Sequence, residues 1–375
     1  MKSLAHKILI KSYSLIENGL FKRFTFFTKK NTLLIVKPDS IGDYILFRNF
    51  LEVVRTSETY KDHIITLCGN SWWKTLSEQL DNTFVDEFIW IDYNKMPDPF
   101  YRFSFYKHIF FQRFETVLHP VYSRDSVGDG IVLHSGAKSR IGNTGDALNL
   151  TVEQKENNDR YYTQLIPSTP APVFEFERNR EFFQEVLKKE IPIERPSIAS
   201  AKASQKKIIF FPGAKDDFRR WSTQKIAQLG EHLKNEYPAF DLYIGGSMQD
   251  QHLAMEIIRQ STAAFTNSTG KYTLPELLDF IADAALIIGN DSGPFHMATA
   301  LGKKVIAVSN GNNYSRFSPY PAYMHTKSVV VYPKQVMDYP EPERIKKFRR
   351  EVKEIDINEI SVEDVYTIAK QLLAD

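Results

Sequence analysis

The sequence predicts an α/β fold made of two doubly wound, Rossmann-like domains with a cleft between them. Short apolar runs alternate with helical periodicity in both halves of the 375-residue chain, a pattern typical of parallel sheets covered by helices. The polar turns follow the apolar runs, at the sheet edge where such folds place ligands. Residues 193–206 form a polar segment without periodicity, which is predicted to be a linker between two domains. The predicted domains are therefore residues 1–192 and residues 207–375, with a terminal helix over 361–373.

Composition and charge narrow the class of protein. Hydrophobic residues make up 42% of the chain and charged residues 25%, which is typical of a globular protein. The net charge of +2 argues against a nucleic-acid partner. The single cysteine, Cys68, fits a reducing compartment, and no apolar run reaches the ~18 residues that span a membrane. We therefore expect a cytoplasmic protein.

Two segments rich in basic and aromatic residues fit either packing against the core or contact with a membrane surface. Residues 1–30 carry seven Lys and Arg against the single acid Glu17, interleaved with Leu and Phe. Such a segment can lie on an anionic surface, here the inner face of the cytoplasmic membrane, or it can pack as a first helix with its lysines in water. The predicted helix over 100–114 has a similar character, although a Phe stripe at helical spacing is more often core.

The first unit of strand, turn and helix holds a candidate general base. A strand over 32–36 leads into a polar turn, 37–43, and a helix over 44–55. The turn lacks the glycine fingerprint of dinucleotide sites and the P-loop pattern of nucleotide triphosphatases. Asp43 directly precedes the predicted helix, so it is either the N-cap of that helix or a base that deprotonates a hydroxyl.

Two polar turns of the C-terminal half suit a nucleoside diphosphate. The turn after the predicted strand 207–211 contains Lys215 and Arg219, and the turn after the strand 242–244 contains Gly246 and Asp250. Cationic side chains and exposed backbone N–H groups suit a diphosphate, and a carboxylate just past a Gly-Gly turn suits ribose hydroxyls.

A third turn, residues 290–293, joins an apolar strand to a short helix. Asp291, Ser292 and Gly293 precede Pro294, which suits the first turn of a helix. Backbone N–H groups at such a helix start bind anions, but the same residues also make a well-capped helix. His296 on this helix is a ligand, an acid or base, or simply a packed side chain.

Several other chemistries lack their sequence patterns. No group of residues has zinc-ligand spacing, and no D-x-D pair is present to hold a divalent metal. The G-x-S-x-G pattern of serine hydrolases is absent as well. We therefore expect no metal site.

Four segments in order resemble glycosyltransferase family 9, the lipopolysaccharide heptosyltransferases. Residues 33–43 match the family's first strand and S-x-G-D turn. The family's second segment is matched by residues 208–214 together with residues 219–221. Its third segment is matched by residues 243–246. Residues 289–298 match the D-[ST]-G-x-x-H motif, the most specific of the four. The resemblance spans about residues 32–310.

This resemblance implies a GT-B fold and an inverting, metal-independent glycosyltransferase without a cofactor. The N-terminal domain is expected to bind a glycolipid or oligosaccharide acceptor, with Asp43 as the catalytic base and Ser40, Gly42 and Arg140 on the acceptor side. The C-terminal domain is expected to bind a nucleotide-sugar donor such as ADP-heptose.

The resemblance also assigns the donor site. Arg219 takes the position of a phosphate-binding Lys, and Arg keeps its charge with added bidentate geometry. The other expected donor-binding residues are Lys215, Gly246, Asp250, Asp291, Ser292, Gly293 and His296. The family's G-x-T-D-P pattern is replaced by residues 310–316, which leaves the donor sugar open. The alternatives are a GT-B-fold epimerase or hydrolase of nucleotide sugars and a non-catalytic nucleotide-sugar-binding module.

Overall fold

The computed structural model describes residues 28–169, 172–203, 205–349 and 352–374. The chain divides into two compact units, one of Met1–Pro170 with Glu177–Pro192 and the other of Ala171–Phe176 with Ile193–Asp375. The basic lead segment, residues 1–30, lies outside the described residues except for its last three. Among the described helices, none is long and apolar enough to cross a bilayer.

The N-terminal unit is built on a six-stranded, wholly parallel sheet of order β3-β2-β1-β4-β5-β6. Its strands are β1 Thr32–Lys37, β2 Ile64–Asn70, β3 Glu87–Ile91, β4 Thr116–His119, β5 Ser139–Asn143 and β6 Gln164–Ile166. Its helices are α1 Ile41–Phe47, α2 Asn49–Arg55, α3 Lys74–Leu80, α4 Pro99–Gln112, α5 Ser126–His134, α6 Val152–Asp159 and α7 Glu175–Leu187. Every residue of β1 is buried, as expected for a central parallel strand covered on both faces.

The C-terminal unit repeats this plan with a second parallel sheet of order β12-β11-β10-β7-β8-β9. Its strands are β7 Lys207–Phe211, β8 Asp241–Ile244, β9 Phe265–Asn267, β10 Leu286–Asn290, β11 Lys304–Val308 and β12 Ser328–Val331. Its helices are α8 Thr223–Glu236, α9 Gln251–Gln260, α10 Leu274–Ala282, α11 Gly293–Ala300, α12 Lys334–Met337, α13 Glu341–Phe348 and α14 Val362–Ala374.

The shared strand order confirms the predicted doubly wound architecture. In each sheet the order reverses beside the first strand, between β1 and β4 and between β7 and β10. Ligands of open α/β sheets bind outside the carboxyl ends of the strands at this switch point. We therefore expect each unit to bind its ligand at the turns that follow these strands.

The start of α1 corrects one sequence interpretation. The helix predicted to begin at Tyr44 begins at Ile41, so Ser40 is the N-cap residue and Asp43 lies in the first turn. The interpretation of Asp43 as N-cap was wrong, because Ser is itself a preferred N-cap and an acid is favoured inside the first turn by the helix dipole. Ser40 Oγ donates to Asp43 Oδ2 at 2.5 Å.

The segment 135–145, which is rich in glycine and basic residues, contains β5. Its backbone pairs with β4 and β6, so strand pairing overrides a weakly apolar sequence. Gly142 is required there, because a Cβ at this position would collide with the Tyr162 ring. In the C-terminal unit, α10 begins with a capping box, in which Thr273 N and Oγ1 both donate to Glu276 Oε2 at 2.8 Å; the spacing of Thr and Glu three residues apart is a sequence pattern for such a box.

Helix α4 has a buried face and an exposed aromatic face. Phe105 and Ile109 are buried in the core, whereas Phe100 is 50% exposed and Phe111 58% exposed. Lys107 is exposed on the same helix. The phenylalanines of this helix therefore serve the core only in part.

A buried polar network lies beneath α1. The Tyr44 hydroxyl donates to Asp81 Oδ2 at 2.5 Å, and Ser77 Oγ donates to the same oxygen at 2.9 Å. Arg48 Nη2 pairs with Asp81 Oδ1 at 2.9 Å. Burial raises the pKa of Asp81, and Arg48 opposes that change by favouring the carboxylate. The network thus joins α1 to the end of α3.

We expect Asp81→Asn to lower the free energy of unfolding by about 3 kcal/mol, because it removes the carboxylate that neutralises buried Arg48. Urea denaturation followed by circular dichroism measures the change. Glu58→Gln, which breaks the exposed Lys61–Glu58 pair, is the control and should change stability little. Equal effects of the two substitutions would contradict the role of Asp81 in neutralising buried Arg48.

Candidate active site

The turns after β7 and β10 are joined by one asparagine and one arginine. Asn290 Nδ2 donates to Pro212 O at 2.7 Å, and Asn290 Oδ1 accepts from Trp221 N at 3.0 Å. Arg219 Nη2 donates to Asp291 O at 2.7 Å. The guanidinium of Arg219 is thereby held at the switch point of the C-terminal sheet.

The turn after β8 lies beside the turn after β7. Gly246 has a φ of +149°, a conformation that favours glycine. Asp250 Oδ2 accepts from Ser247 N and from Ser247 Oγ, each at 2.8 Å. A Cβ at Gly213 would collide with the Asp250 carboxylate. The structure therefore brings Asp250 next to the turn that carries Arg219.

Helix α11 begins without a side-chain cap. Ser292 occupies the N-cap position with an extended backbone, but its side chain makes no capping hydrogen bond. Ser292 Oγ instead donates to Asn290 O at 3.2 Å. Gly293 and Pro294 follow in the first turn. Pro294 has no N–H and Phe295 N donates to Ser292 O at 3.0 Å, so the Gly293 N–H and the helix dipole are what this turn offers to an anion.

Asp291 and His296 are buried by the loop after β11. Asp291 Oδ2 accepts from Ser318 Oγ at 2.7 Å, and His296 Nδ1 lies 3.0 Å from the Tyr320 hydroxyl. His296 is 4% exposed, with its ring near those of Phe295 and Tyr320. Burial, followed by the charge of Asp291, raises the pKa of Tyr320, so its hydroxyl stays protonated. This agrees with the interpretation of His296 as a packed side chain.

Lys215 differs from the other predicted donor residues because it is exposed to solvent in the turn after β7. Its ammonium group is on a flexible stem, whereas the Arg219 guanidinium is fixed by its hydrogen bond to the main chain. Of the two cations, Arg219 is the one that the fold positions. The donor-binding roles of both residues remain predictions.

The N-terminal turn that carries Asp43 is braced by side chains from the neighbouring strand and the segment after it. Asn70 Nδ2 donates to Pro38 O at 3.1 Å, and Trp73 Nε1 donates to Asp39 O at 2.9 Å. Lys37, fully buried at the end of β1, pairs with Asp39 Oδ2 at 2.7 Å. These contacts fix the backbone that leads into α1 and hence the position of Asp43.

The three predicted acceptor-side residues differ in environment. Ser40 is exposed and donates to Asp43, and Gly42 is buried within α1. Arg140 lies on β5, where its Nε donates to Tyr161 O at 2.5 Å and its Nη1 donates to Ala137 O. Burial lowers the pKa of Arg140. Its guanidinium is thus bound to backbone carbonyls, and its role toward an acceptor remains a prediction.

Sequence reasoning missed the residues that hold the site together. Ser318 and Tyr320 contact residues more than twenty positions away, and no local pattern marks such a contact. Asn70 and Trp73 carried a weak signal, since Asn70 ends an apolar strand and Trp73 lies in the turn that follows it. Among the described residues there is no group of three or more His, Cys, Asp or Glu side chains placed to hold a metal ion.

Comparison with solved structures places the chain in the GT-B fold. The crystal structure of a family 9 glycosyl transferase from Veillonella parvula superposes with a TM-score of 0.72 at 18% identity, covering 93% of this chain and 99% of that one. The E. coli heptosyltransferase WaaC, solved with ADP, gives a TM-score of 0.68 at 13% identity and covers 91% of this chain and 99% of that one.

Comparison with protein sequences supplies the family. The sequence model of glycosyltransferase family 9 (heptosyltransferase) matches residues 131–345, more than half of the chain, and the chain belongs to that family. It is 31% identical over 108 residues to lipopolysaccharide heptosyltransferase 1 of Campylobacter coli, covering 28% of this chain and 32% of that protein. It is 26% identical over 193 residues to lipooligosaccharide heptosyltransferase 2 of Haemophilus influenzae, covering 45% of this chain and 53% of that protein. These matches therefore span about a third to a half of the curated relatives.

Proposed function

We propose that this protein transfers a heptose or related sugar from a nucleotide-diphosphate sugar to a hydroxyl of a lipopolysaccharide core or similar surface-glycan acceptor. Family membership supports the reaction class, and the names of the relatives support the sugar and the acceptor. One structural observation carries the proposal for this chain. The fixed guanidinium of Arg219 lies at the sheet's switch point, joined to the residue just before the uncapped start of α11.

The proposed donor site uses this cation and the helix start to hold a diphosphate. Arg219 bonds the Asp291 carbonyl with one nitrogen, and a guanidinium has five N–H donors, so it can hold phosphate oxygens at the same time. The dipole of α11 and the N–H of Gly293 add partial positive charge at this end of the helix. Asp250 beside Gly246 is suited to the ribose hydroxyls of the donor.

The proposed chemistry is a single displacement that inverts configuration at the sugar. Asp43 accepts the proton of the acceptor hydroxyl as its oxygen attacks the anomeric carbon, and the nucleoside diphosphate leaves with the bonding electrons. Arg219 and the α11 N-terminus stabilise the charge that develops on the diphosphate, with Lys215 adding charge from the same turn. In this scheme the protein's own cations perform the stabilisation, so no metal ion takes part.

We also propose that the protein works at the inner face of the cytoplasmic membrane, where a glycolipid acceptor would be presented. Phe100 and Phe111 on α4 expose about half of their surface, and Lys107 and Arg113 are exposed beside them. Exposed aromatic side chains with neighbouring cations suit an anionic lipid surface.

We expect Asp43→Asn to lower kcat by roughly 10²- to 10⁴-fold, because the amide cannot accept the proton. The affinity for a nucleoside diphosphate should be unchanged. Transfer is measured with nucleotide sugar and acceptor, and binding by calorimetry. Asp62→Asn, at an exposed turn, is the control. Normal turnover by Asp43→Asn would remove this residue from the mechanism, and donor consumption without acceptor would indicate a hydrolase or epimerase.

We expect Arg219→Met to weaken nucleoside diphosphate binding roughly tenfold or more, since a charge-assisted hydrogen bond is lost. Calorimetric titrations with ADP, GDP, UDP and CDP measure the change and also identify the donor base. Arg259→Met, an exposed position on α9, is the matched control and should leave affinity intact. If both variants bind as the parent does, Arg219 is not a diphosphate ligand.

We expect the double substitution of Phe100 and Phe111 to Ser to reduce co-sedimentation with phosphatidylglycerol vesicles, because both exposed apolar side chains are lost. Added salt should weaken binding of the parent protein, as for any electrostatic surface contact. Trp72→Ser is the control, since Trp72 is 54% exposed but lies outside α4. Equal binding of all three proteins, or none by the parent, would reject the membrane proposal.

A further inference from the structure

The Asp291 carboxylate is a buried charge beside the candidate donor site that takes no part in the proposed displacement. Asp291 is 6% exposed, and its main chain is held on both sides of the Cα. Its N–H donates to Val308 O at 3.3 Å, and its carbonyl accepts from Arg219 Nη2 at 2.7 Å. The side chain therefore starts from a fixed backbone, one residue before the N-cap of α11.

Ser318 holds one oxygen of this carboxylate. Ser318 is fully buried, and its Oγ donates to Asp291 Oδ2 at 2.7 Å. A hydroxyl has a single proton to donate, so this bond sets the direction of the Ser318 O–H. Within the described part of the chain, no Lys, Arg or His side chain forms an ion pair with Asp291, and its Oδ1 accepts no hydrogen bond. Oδ1 is therefore able to accept a proton donor from a ligand.

Tyr332 supports Ser318 from the end of the neighbouring strand. It directly follows β12, and its hydroxyl donates toward Ser318 Oγ over a long distance of 3.4 Å. Burial raises the pKa of Tyr332, so its hydroxyl keeps its proton. The hydroxyls of Tyr332 and Ser318 thus both point their protons in the direction of the Asp291 carboxylate, and hydrogen bonds in such a chain polarise one another.

The loop that carries Ser318 is fixed by contacts outside the site. Asn310 Nδ2 donates to Val352 O, and Val352 N donates to Asn312 Oδ1, each at 2.9 Å. Ser315 has a φ of +65°, a left-handed conformation that is costly for a residue other than glycine and persists only where the surroundings enforce it. The path of the loop therefore fixes the place of Ser318.

The chemistry of a carboxylate limits which part of a nucleotide sugar Asp291 can bind. An ionised carboxylate accepts hydrogen bonds and donates none, and it repels the phosphate groups. The sugar, by contrast, offers several hydroxyl donors. The main-chain carbonyl of Asp291 serves the diphosphate end, because it orders the Arg219 guanidinium. The two ends of this one residue are thus suited to two different parts of the donor.

We propose that Ser318 is a positioning residue for the donor sugar: it orients the Asp291 carboxylate, whose Oδ1 accepts a hydrogen bond from a hydroxyl of that sugar. Arg219 holds the diphosphate independently of the carboxylate. Loss of the Ser318 hydroxyl therefore removes the affinity that the sugar adds and leaves the affinity for the nucleoside diphosphate in place. This role rests on the proposed function, because it requires a nucleotide sugar as donor.

The test compares the affinities of the full-length protein for ADP and for ADP-heptose by calorimetry, without acceptor. Ser318→Ala removes the hydroxyl, and Ser318→Thr retains one. Ser309→Ala is the matched control, since Ser309 is a buried serine of the same loop whose Oγ accepts from Gly311 N at 3.2 Å. Thermal unfolding checks that each variant is folded. If Ser318→Ala does not fold, Ser318→Cys replaces it with the same expectation, because a thiol keeps the shape but donates weakly.

We expect the parent protein to bind ADP-heptose more tightly than ADP. Ser318→Ala should lose roughly tenfold in affinity for ADP-heptose and keep the parent's affinity for ADP. Ser318→Thr should recover part of the loss. Ser309→Ala should keep the parent's ratio of the two affinities even if it unfolds at a lower temperature, since a merely structural change affects both ligands alike.

The possible failures separate this role from the proposed function. Tight binding of ADP-heptose with an unchanged ratio of affinities in folded Ser318→Ala, or an equal loss for both ligands, would overturn the positioning role alone. Equal affinities of the parent for ADP and ADP-heptose would also overturn it, because the sugar would then have no contact to lose. Absence of binding of both ligands by the parent would contradict the proposed donor and overturn the role of Ser318 with it.

Discussion

The two shortest hydrogen bonds of the Asn290 side chain are the interaction on which the C-terminal site depends. This amide ends β10, donates to Pro212 O after β7 and accepts from Trp221 N at the far end of the same turn. Because it is buried, either lost bond would leave a polar group without water to replace its partner. The ten-residue turn between these contacts is thereby held at both ends, and Arg219 lies within it. The Asn290 amide therefore helps to fix the position of the Arg219 guanidinium.

The N-terminal unit holds the turn after its first strand in a similar way. In both units a proline directly follows the first strand, and the carbonyl of that proline accepts from an asparagine at the end of a neighbouring strand. The pairs are Pro38 with Asn70 and Pro212 with Asn290. Proline restricts φ and supplies no N–H, so its carbonyl is the one main-chain group by which it can be held. Each sheet thus uses a short amide side chain at its carboxyl edge to fix the turn that carries the predicted chemistry.

How far the sequence predicts this structure depends on the distance between interacting residues. The capping box of Thr273 and Glu276 and the alternation of strands and helices were predictable because three-residue spacing and apolar periodicity are local signals. The true start of α1 was missed because Ser40 and Asp43 both suit a helix start, and only packing decides between them. The bond between Ser318 and Asp291 depends on the path of a long loop, which no local pattern encodes. The strands, the turns and the helix cap were therefore more predictable than the long-range contacts that orient the candidate site residues.

The resemblance implies that Arg219 stands where the family has a lysine, and an arginine at this position has a physical consequence for the site. A lysine ammonium is a compact charge on a flexible stem, which must be ordered when the ligand binds. Arg219 is ordered beforehand, because one nitrogen already donates to the Asp291 carbonyl. That carbonyl belongs to the residue that precedes the N-cap of α11, so the cation and the helix start are connected through a single peptide unit. A diphosphate bound here would meet both sources of positive charge in a fixed geometry, and less conformational entropy would be lost on binding.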